Sequence, residues 1–122
     1  MKIRIKGNSL RIRLSKSEVN QLAGEGYLEE QTSFGNSALV YALQTNVDAE
    51  QLSANFVDNK ITMYVPQALA KDWPVNSIVG FDAKMPVADG STLSLLLEKD
   101  FVCKDATTED QSDNYENPGK IC

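Results

Sequence analysis

The sequence contains no histidine, which removes the commonest general base and the commonest metal ligand of proteins. A Ser-His-Asp or Cys-His catalytic device is therefore excluded within one chain. No apolar run approaches the roughly 18 residues typical of a membrane-spanning helix, and a glycine-rich phosphate loop is also missing. The N-terminus lacks the apolar segment of a secretory signal. These absences predict a cytoplasmic protein with no membrane contact.

Basic residues are scarce except at the N-terminus. The 122-residue chain has a net charge of -5, yet residues 1–16 hold six of its twelve cations and no acid. The rest of the chain carries a net charge of -11. Because such a surface repels a phosphate backbone, we expect no nucleic-acid partner. The basic cluster is local, and it calls for a local explanation.

The cluster lies in KIRIKGNSLRIRL, residues 2–14, which alternates cations with hydrophobes around Gly7-Asn8. A two-residue turn at Gly7-Asn8 places Ile5 opposite Leu10, so that the hydrophobes share one face. Gly and Asn tolerate the positive φ of tight turns. Like charges directly opposed destabilise a sheet by a few tenths of a kcal/mol, so we expect a negative partner. The opposite face then carries five cations: Lys2, Arg4, Lys6, Arg11 and Arg13.

The remaining pattern predicts an α+β fold. SKSEVNQLAGEG has the Ser15 and Glu18 spacing of a capping box, PQALAKDWP reads as a second short helix, and alternating segments give eight strands. Shifted by 51 residues, the second half repeats the order strand, strand, helix, strand, strand. We predict an antiparallel β-barrel or sandwich of about eight strands with two short helices and an internal ββαββ duplication. The domain spans 1–103, with pseudo-repeats at 1–44 and 51–102.

Residues 104–122 form an acidic tail rich in turn-forming residues. Alone, this composition is typical of disorder, so we expect the tail to pack on the domain through Tyr115. We also predict that Asp110 and Asp113 pair with Arg11 or Arg13. The tail would then neutralise the basic hairpin face.

Two cysteines, Cys103 and Cys122, flank the tail. Three interpretations are open: free or packed thiols, a disulfide, or a zinc site. A reducing cytoplasm argues against a permanent disulfide, and no familiar ligand spacing supports zinc. The acidic stretch EDQSDNYENPG also lacks the spacing of a calcium loop. We therefore predict no cofactor and no metal.

Three segments of the chain resemble a family of small bacterial proteins of unknown function. They are MKIRIKGNSLRIRLSKSEV, DNKITMYVP and EKDFVCKDATTEDQSDNYENP, and the resemblance extends over the whole chain. It implies a compact bacterial domain and transfers no catalytic residue. A weaker architectural similarity is to triphosphate-tunnel (CYTH-like) enzymes, in which cations line the tunnel of a duplicated barrel. The strand Lys2–Lys6 lacks the metal-binding glutamates of their E-x-E-x-K motif.

These observations predict a non-catalytic binding or structural module. Its basic hairpin face would meet either a small anionic ligand, an unknown protein partner or the chain's own acidic tail. The alternative is a phosphohydrolase-like enzyme that uses the same cations on a phosphorylated or polyphosphate substrate. No side chain stands out as catalytic.

Overall fold

The computed structural model describes residues 1–101 and 113–115. Within these ranges the chain forms eight strands and two helices. A single 3-10 turn, Trp73–Val75, follows the second helix. The strands are β1 (Lys2–Ile5), β2 (Ser9–Leu14), β3 (Tyr27–Ser33), β4 (Ala38–Asn46), β5 (Ser53–Val57), β6 (Lys60–Pro66), β7 (Gly80–Pro86) and β8 (Thr92–Lys99), and the helices are α1 (Lys16–Glu25) and α2 (Gln67–Ala70).

The strands form two four-stranded sheets, ordered β1-β2-β8-β7 and β3-β4-β6-β5. The α+β prediction is confirmed, and the arrangement is a sandwich, since the two sheets do not close into a barrel. All four hairpins are antiparallel, as predicted. The central pairs, β2 with β8 and β4 with β6, are parallel. The alternation of polar and apolar residues indicates each hairpin, but it does not show which hairpins lie side by side in a sheet. The two parallel pairs could therefore not be predicted from the sequence.

The two sheets have the same topology. Each contains the first hairpin of one half of the chain and the second hairpin of the other half. The 51-residue offset also maps the β1–β2 register onto the β5–β6 register, since Lys2 pairs with Arg13 and Ser53 pairs with Tyr64. The internal duplication and the boundaries of its repeats stay predictions.

The first hairpin has the predicted register. Ile5 pairs with Leu10, and the Lys6 N–H donates to the Ser9 carbonyl across the turn. Gly7 adopts a φ of +55° there, a conformation that glycine reaches without steric cost. Leu10 and Ile12 are buried as expected, but Ile5 is 60% exposed. It faces the other sheet at the end of the sandwich that neither α1 nor α2 covers.

The core lies between the sheets and under the helices. Ile12, Leu43, Met63 and Leu97 are fully buried between the strands, and Trp73 is fully buried beside α1. The helices cover the end at which β2 and β6 finish, because α1 and α2 follow these strands directly. The four hairpin turns lie at the other end. No helix in the described ranges is long and apolar enough to cross a membrane.

Candidate anion-binding surface

The five predicted cations lie on the outer side of the first sheet. Lys2 is paired with Arg13 and Arg4 with Arg11, and paired side chains project from the same face. These positions alternate with the buried Leu10, Ile12 and Leu14. We call the surface formed by Lys2, Arg4, Lys6, Arg11 and Arg13 the cationic face.

Carboxylates from the end of β8 neutralise part of the cationic face. The parallel register places Glu98 beside Arg13, whose Nε donates to Glu98 Oε1 at 2.7 Å. The Arg11 Nε lies 3.5 Å from the same oxygen. Lys2 Nζ lies 2.7 Å from Asp100 Oδ2. Sequence reasoning sought these partners in the tail, because it did not place β8 next to β2.

Arg4 and Lys6 differ from the other three cations. Among the residues that the structure describes, no carboxylate lies within ion-pair distance of either side chain. Both side chains are exposed on β1 or directly after it, at an edge of the sheet. Within the described part of the chain, the cationic face therefore keeps positive charge at the end nearest to the Gly7-Asn8 turn.

A shallow depression of about 200 Å³ lies on this face. Four of its five lining residues are cations, namely Lys2, Arg4, Arg11 and Arg13, and none of the five is acidic. A guanidinium presents several N–H donors in a plane and matches carboxylate or phosphate oxygens in a bidentate manner. The shape and the donors suit a small anion with several oxygens.

Asp113 lines the same small cavity as Arg13, but its carboxylate is bonded to α1, and the described ion pairs of Arg11 and Arg13 are with Glu98, so the predicted direct pairing of Asp113 with Arg11 or Arg13 is corrected. Its carboxylate accepts hydrogen bonds from the Ser17 hydroxyl at 2.5 Å and the Ser17 N–H at 3.3 Å. Its carbonyl accepts the Lys16 N–H at 2.9 Å. Hydrogen bonds from the Ser17 and Ser15 hydroxyls lower the pKa of Asp113. The unpaired N–H groups of the first turn of α1 supply this docking site.

Tyr115 is anchored at the end of the first sheet. Its N–H donates to the Asp100 carbonyl at 2.7 Å, and its ring lies 5.9 Å from that of Phe101. Burial raises the pKa of the Tyr115 hydroxyl. The packing of the whole tail on the domain through Tyr115 stays a prediction. The predicted tail residue Asp110 and the two cysteines, Cys103 and Cys122, lie outside the described residues.

Lys99 is a buried cation that sequence reasoning missed. It is 4% exposed, its Nζ donates to the Asn76 carbonyl at 2.8 Å, and it lies 4.9 Å from the Tyr115 ring centroid and 5.7 Å from that of Trp73. Desolvation lowers the pKa of Lys99. The alternation of side chains along β8 could have indicated this burial, because Lys99 is two residues after Leu97 and points to the same side as Leu95 and Leu97.

Metal ligands are not grouped on the described part of the chain. Residues 1–101 and 113–115 contain no cluster of three or more Asp, Glu, Cys or His side chains that could hold a metal ion. The arginines also lie outside the sandwich, so they do not line a tunnel of the kind implied by the resemblance to the triphosphate-tunnel enzymes.

Comparison with known proteins gives one finding. Residues 1–119 match the model of a family described as "Family of unknown function (DUF7009)". No curated protein and no solved structure matches the chain.

Proposed function

The chain belongs to DUF7009, a family whose description assigns no function, and we propose from the geometry of its surface that it is a non-catalytic module that binds a small multivalent anion. The observation that carries the proposal is the depression lined by Lys2, Arg4, Arg11 and Arg13, with no acid in its lining. A phosphate or polyphosphate group has the charge and oxygen spacing that these donors suit.

The charge balance supports an external anion. Five cations share the face, and among the residues that the structure describes Glu98 and Asp100 contact them, which leaves an excess of positive charge within this part of the chain. Glu98 accepts a hydrogen bond from the Arg13 Nε, which orients the guanidinium on this face. Asp113, the tail acid proposed to pair with the arginines, is engaged at α1 instead.

A phosphohydrolase of the triphosphate-tunnel type would need carboxylates free to hold a metal opposite the cations. Glu98 and Asp100 are both in ion pairs with the cationic face. We therefore base the proposal on binding and assign no catalytic residue.

Thermal unfolding with tripolyphosphate, with and without magnesium, tests the proposal. A ligand at 100 times its Kd adds about 2.7 kcal/mol to the free energy of unfolding, which is easily seen as a raised Tm. Arg4→Gln/Lys6→Gln should reduce the shift, whereas Lys71→Gln, an exposed lysine at the end of α2, should not. A Tm that does not respond to tripolyphosphate in the unmodified protein would refute the proposal.

A further inference from the structure

The sandwich is open at the end that carries the hairpin turns. A cleft of about 530 Å³ lies there between the two sheets, within the roughly 300–1,000 Å³ typical of small-molecule sites. Its apolar walls come from both sheets: Ile5, Leu10 and Leu93 from one, and Leu39, Phe56 and Ile61 from the other. Ile5 and Phe56 are 60% and 64% exposed. The cleft therefore presents apolar surface to solvent.

The lining contains no ionisable side chain, and its polar side chains make hydrogen bonds within the protein. Asn8 Nδ2 donates to the Thr92 carbonyl at 2.7 Å, and the Ser9 hydroxyl donates to the Lys6 carbonyl at 2.6 Å. Asn55 Nδ2 donates to the Tyr64 hydroxyl at 3.4 Å. Burying a charge in such surroundings is costly. The part of a ligand that enters the cleft must be uncharged and apolar.

Positive charge lies at one lip of the same cleft. Ile5 forms part of its wall, and its chain neighbours Arg4 and Lys6 project to the cationic face, because successive strand side chains alternate. These are the two cations without a described carboxylate partner. The described turns at this end hold the acids Asp58, between β5 and β6, and Asp89, between β7 and β8. Both turns lie away from β1, because β7 is the opposite edge of the first sheet and β5 contacts β7 through the Ala54 N–H and the Met85 sulfur.

We propose that the anion bound by the cationic face is the head group of a single-chain amphiphile whose apolar chain lies in the cleft. The inference rests on the proposed anion site and names its ligand class. Charge complementarity sets the orientation of the ligand. The head group contacts Arg4 and Lys6 at β1, which is an edge strand among the described strands, and the apolar chain of the ligand passes inward along Ile5.

Binding of butyl, hexyl and octyl phosphate, measured by isothermal titration calorimetry, tests this inference. Each buried methylene should lower the Kd about fourfold, so octyl phosphate should bind far more tightly than butyl phosphate. Inorganic phosphate serves as the reference without a chain. Two substitutions alter the cleft. Ala54→Phe fills part of it, and Phe56→Ser removes an exposed side chain from one of its walls.

Val75→Ser is the matched control, because Val75 is 88% exposed and does not line the cleft. We expect Ala54→Phe and Phe56→Ser to weaken the dependence of Kd on chain length, and Val75→Ser to preserve it. Equal affinity for all three alkyl phosphates in the unmodified protein overturns the inference. A dependence on chain length that survives both cleft variants overturns it as well.

The cationic face is tested separately in the same series. Arg4→Gln/Lys6→Gln should raise the Kd of every alkyl phosphate by a similar factor while the dependence on chain length persists. If this variant binds all of them as tightly as the unmodified protein, the anion site fails, and the ligand class proposed here fails with it. The two proposals can fail separately. If the Kd of the unmodified protein does not depend on alkyl chain length but rises in Arg4→Gln/Lys6→Gln, the anion site is retained and only the proposal for the cleft is refuted.

Discussion

Glu98 on β8 accepts a 2.7 Å hydrogen bond from Arg13 on β2, across the parallel junction that joins the two halves of the first sheet. The same carboxylate lies 3.5 Å from Arg11. Glu98 thus orients the arginines and also offsets part of their charge. Its removal should affect stability and anion binding in opposite directions.

We expect Glu98→Gln to lower the free energy of unfolding by less than about 1 kcal/mol, because partly exposed ion pairs are weak. Tripolyphosphate should bind the variant several-fold more tightly, since a nearby negative charge is lost. Isothermal titration calorimetry measures the affinity, with Glu29→Gln on the second sheet as the matched control. Weaker binding of tripolyphosphate to Glu98→Gln would contradict this prediction.

Ser17→Ala should remove a stabilising contact to Asp113 that depends on pH. The pKa of Asp113 is lowered in the folded protein, so its contribution is fully present above the ordinary value of 3.8 and is lost as pH falls through the lower folded value. Urea unfolding should show a difference of less than about 1 kcal/mol between the two proteins near neutral pH. The difference should shrink in strong acid.

Asp113→Asn is the control for the Ser17→Ala prediction, because an asparagine cannot titrate. In that background, Ser17→Ala should have a pH-independent effect. If Ser17→Ala changes stability equally at neutral and strongly acid pH in the unmodified background, Asp113 is not the group responsible.

Lys99→Met should change how stability varies in alkaline solution. The pKa of Lys99 is lowered from 10.5 by desolvation, so between the folded and unfolded values the unfolded chain binds more protons. The free energy of unfolding therefore rises with pH in this window. A methionine at this position does not titrate, so the stability of the unmodified protein relative to the variant should increase as the pH rises from neutrality towards 10.5.

Urea unfolding of both proteins at neutral and alkaline pH measures this difference. The exposed Lys71→Met is the matched control and should show no such trend, because its side chain is solvated in both states. A constant difference between Lys99→Met and the unmodified protein would mean that the ammonium is not desolvated by Trp73 and Tyr115.

A pair of glycine substitutions tests the pairing of β7 with β8. A Cβ at Gly80 would lie 2.5 Å from the Leu97 carbonyl oxygen and 2.9 Å from Glu98 Cα, so Gly80→Ala should destabilise the sheet by about 1–3 kcal/mol. A Cβ at Gly24, inside α1, meets nothing within 4 Å. Gly24→Ala should stabilise the protein by about 0.5–1 kcal/mol. Thermal unfolding distinguishes the two signs, and a neutral Gly80→Ala would contradict the strand register.

Local sequence pattern was enough for the hairpins and α1. The alternation around Gly7-Asn8 gave the register of β1 and β2, and the Ser15–Glu18 spacing gave the start of α1, where the capping box is present. Both features depend on residues close together in the chain. The cationic face follows from the same alternation, since it is the opposite side of one hairpin.

The partners of that face could not be derived in the same way. Glu98 meets Arg13 only because β2 and β8 pair in parallel, and 85 residues separate the two side chains in sequence. The open cleft depends on how far the helices extend over the sandwich, which alternation does not encode. The exposure of Ile5 is the visible result, because its hydrophobicity alone predicted burial.

A titration of ¹⁵N-labelled protein with tripolyphosphate, followed by two-dimensional NMR, tests anion binding at the cationic face most directly. We expect saturable shifts of the backbone amides of residues 2–6 and 11–13, with small changes in the second sheet. These shifts should weaken as salt is added, because binding is electrostatic. Saturable shifts confined to other parts of the chain, or no saturable shifts at all, would contradict the assignment of this face as an anion-binding surface.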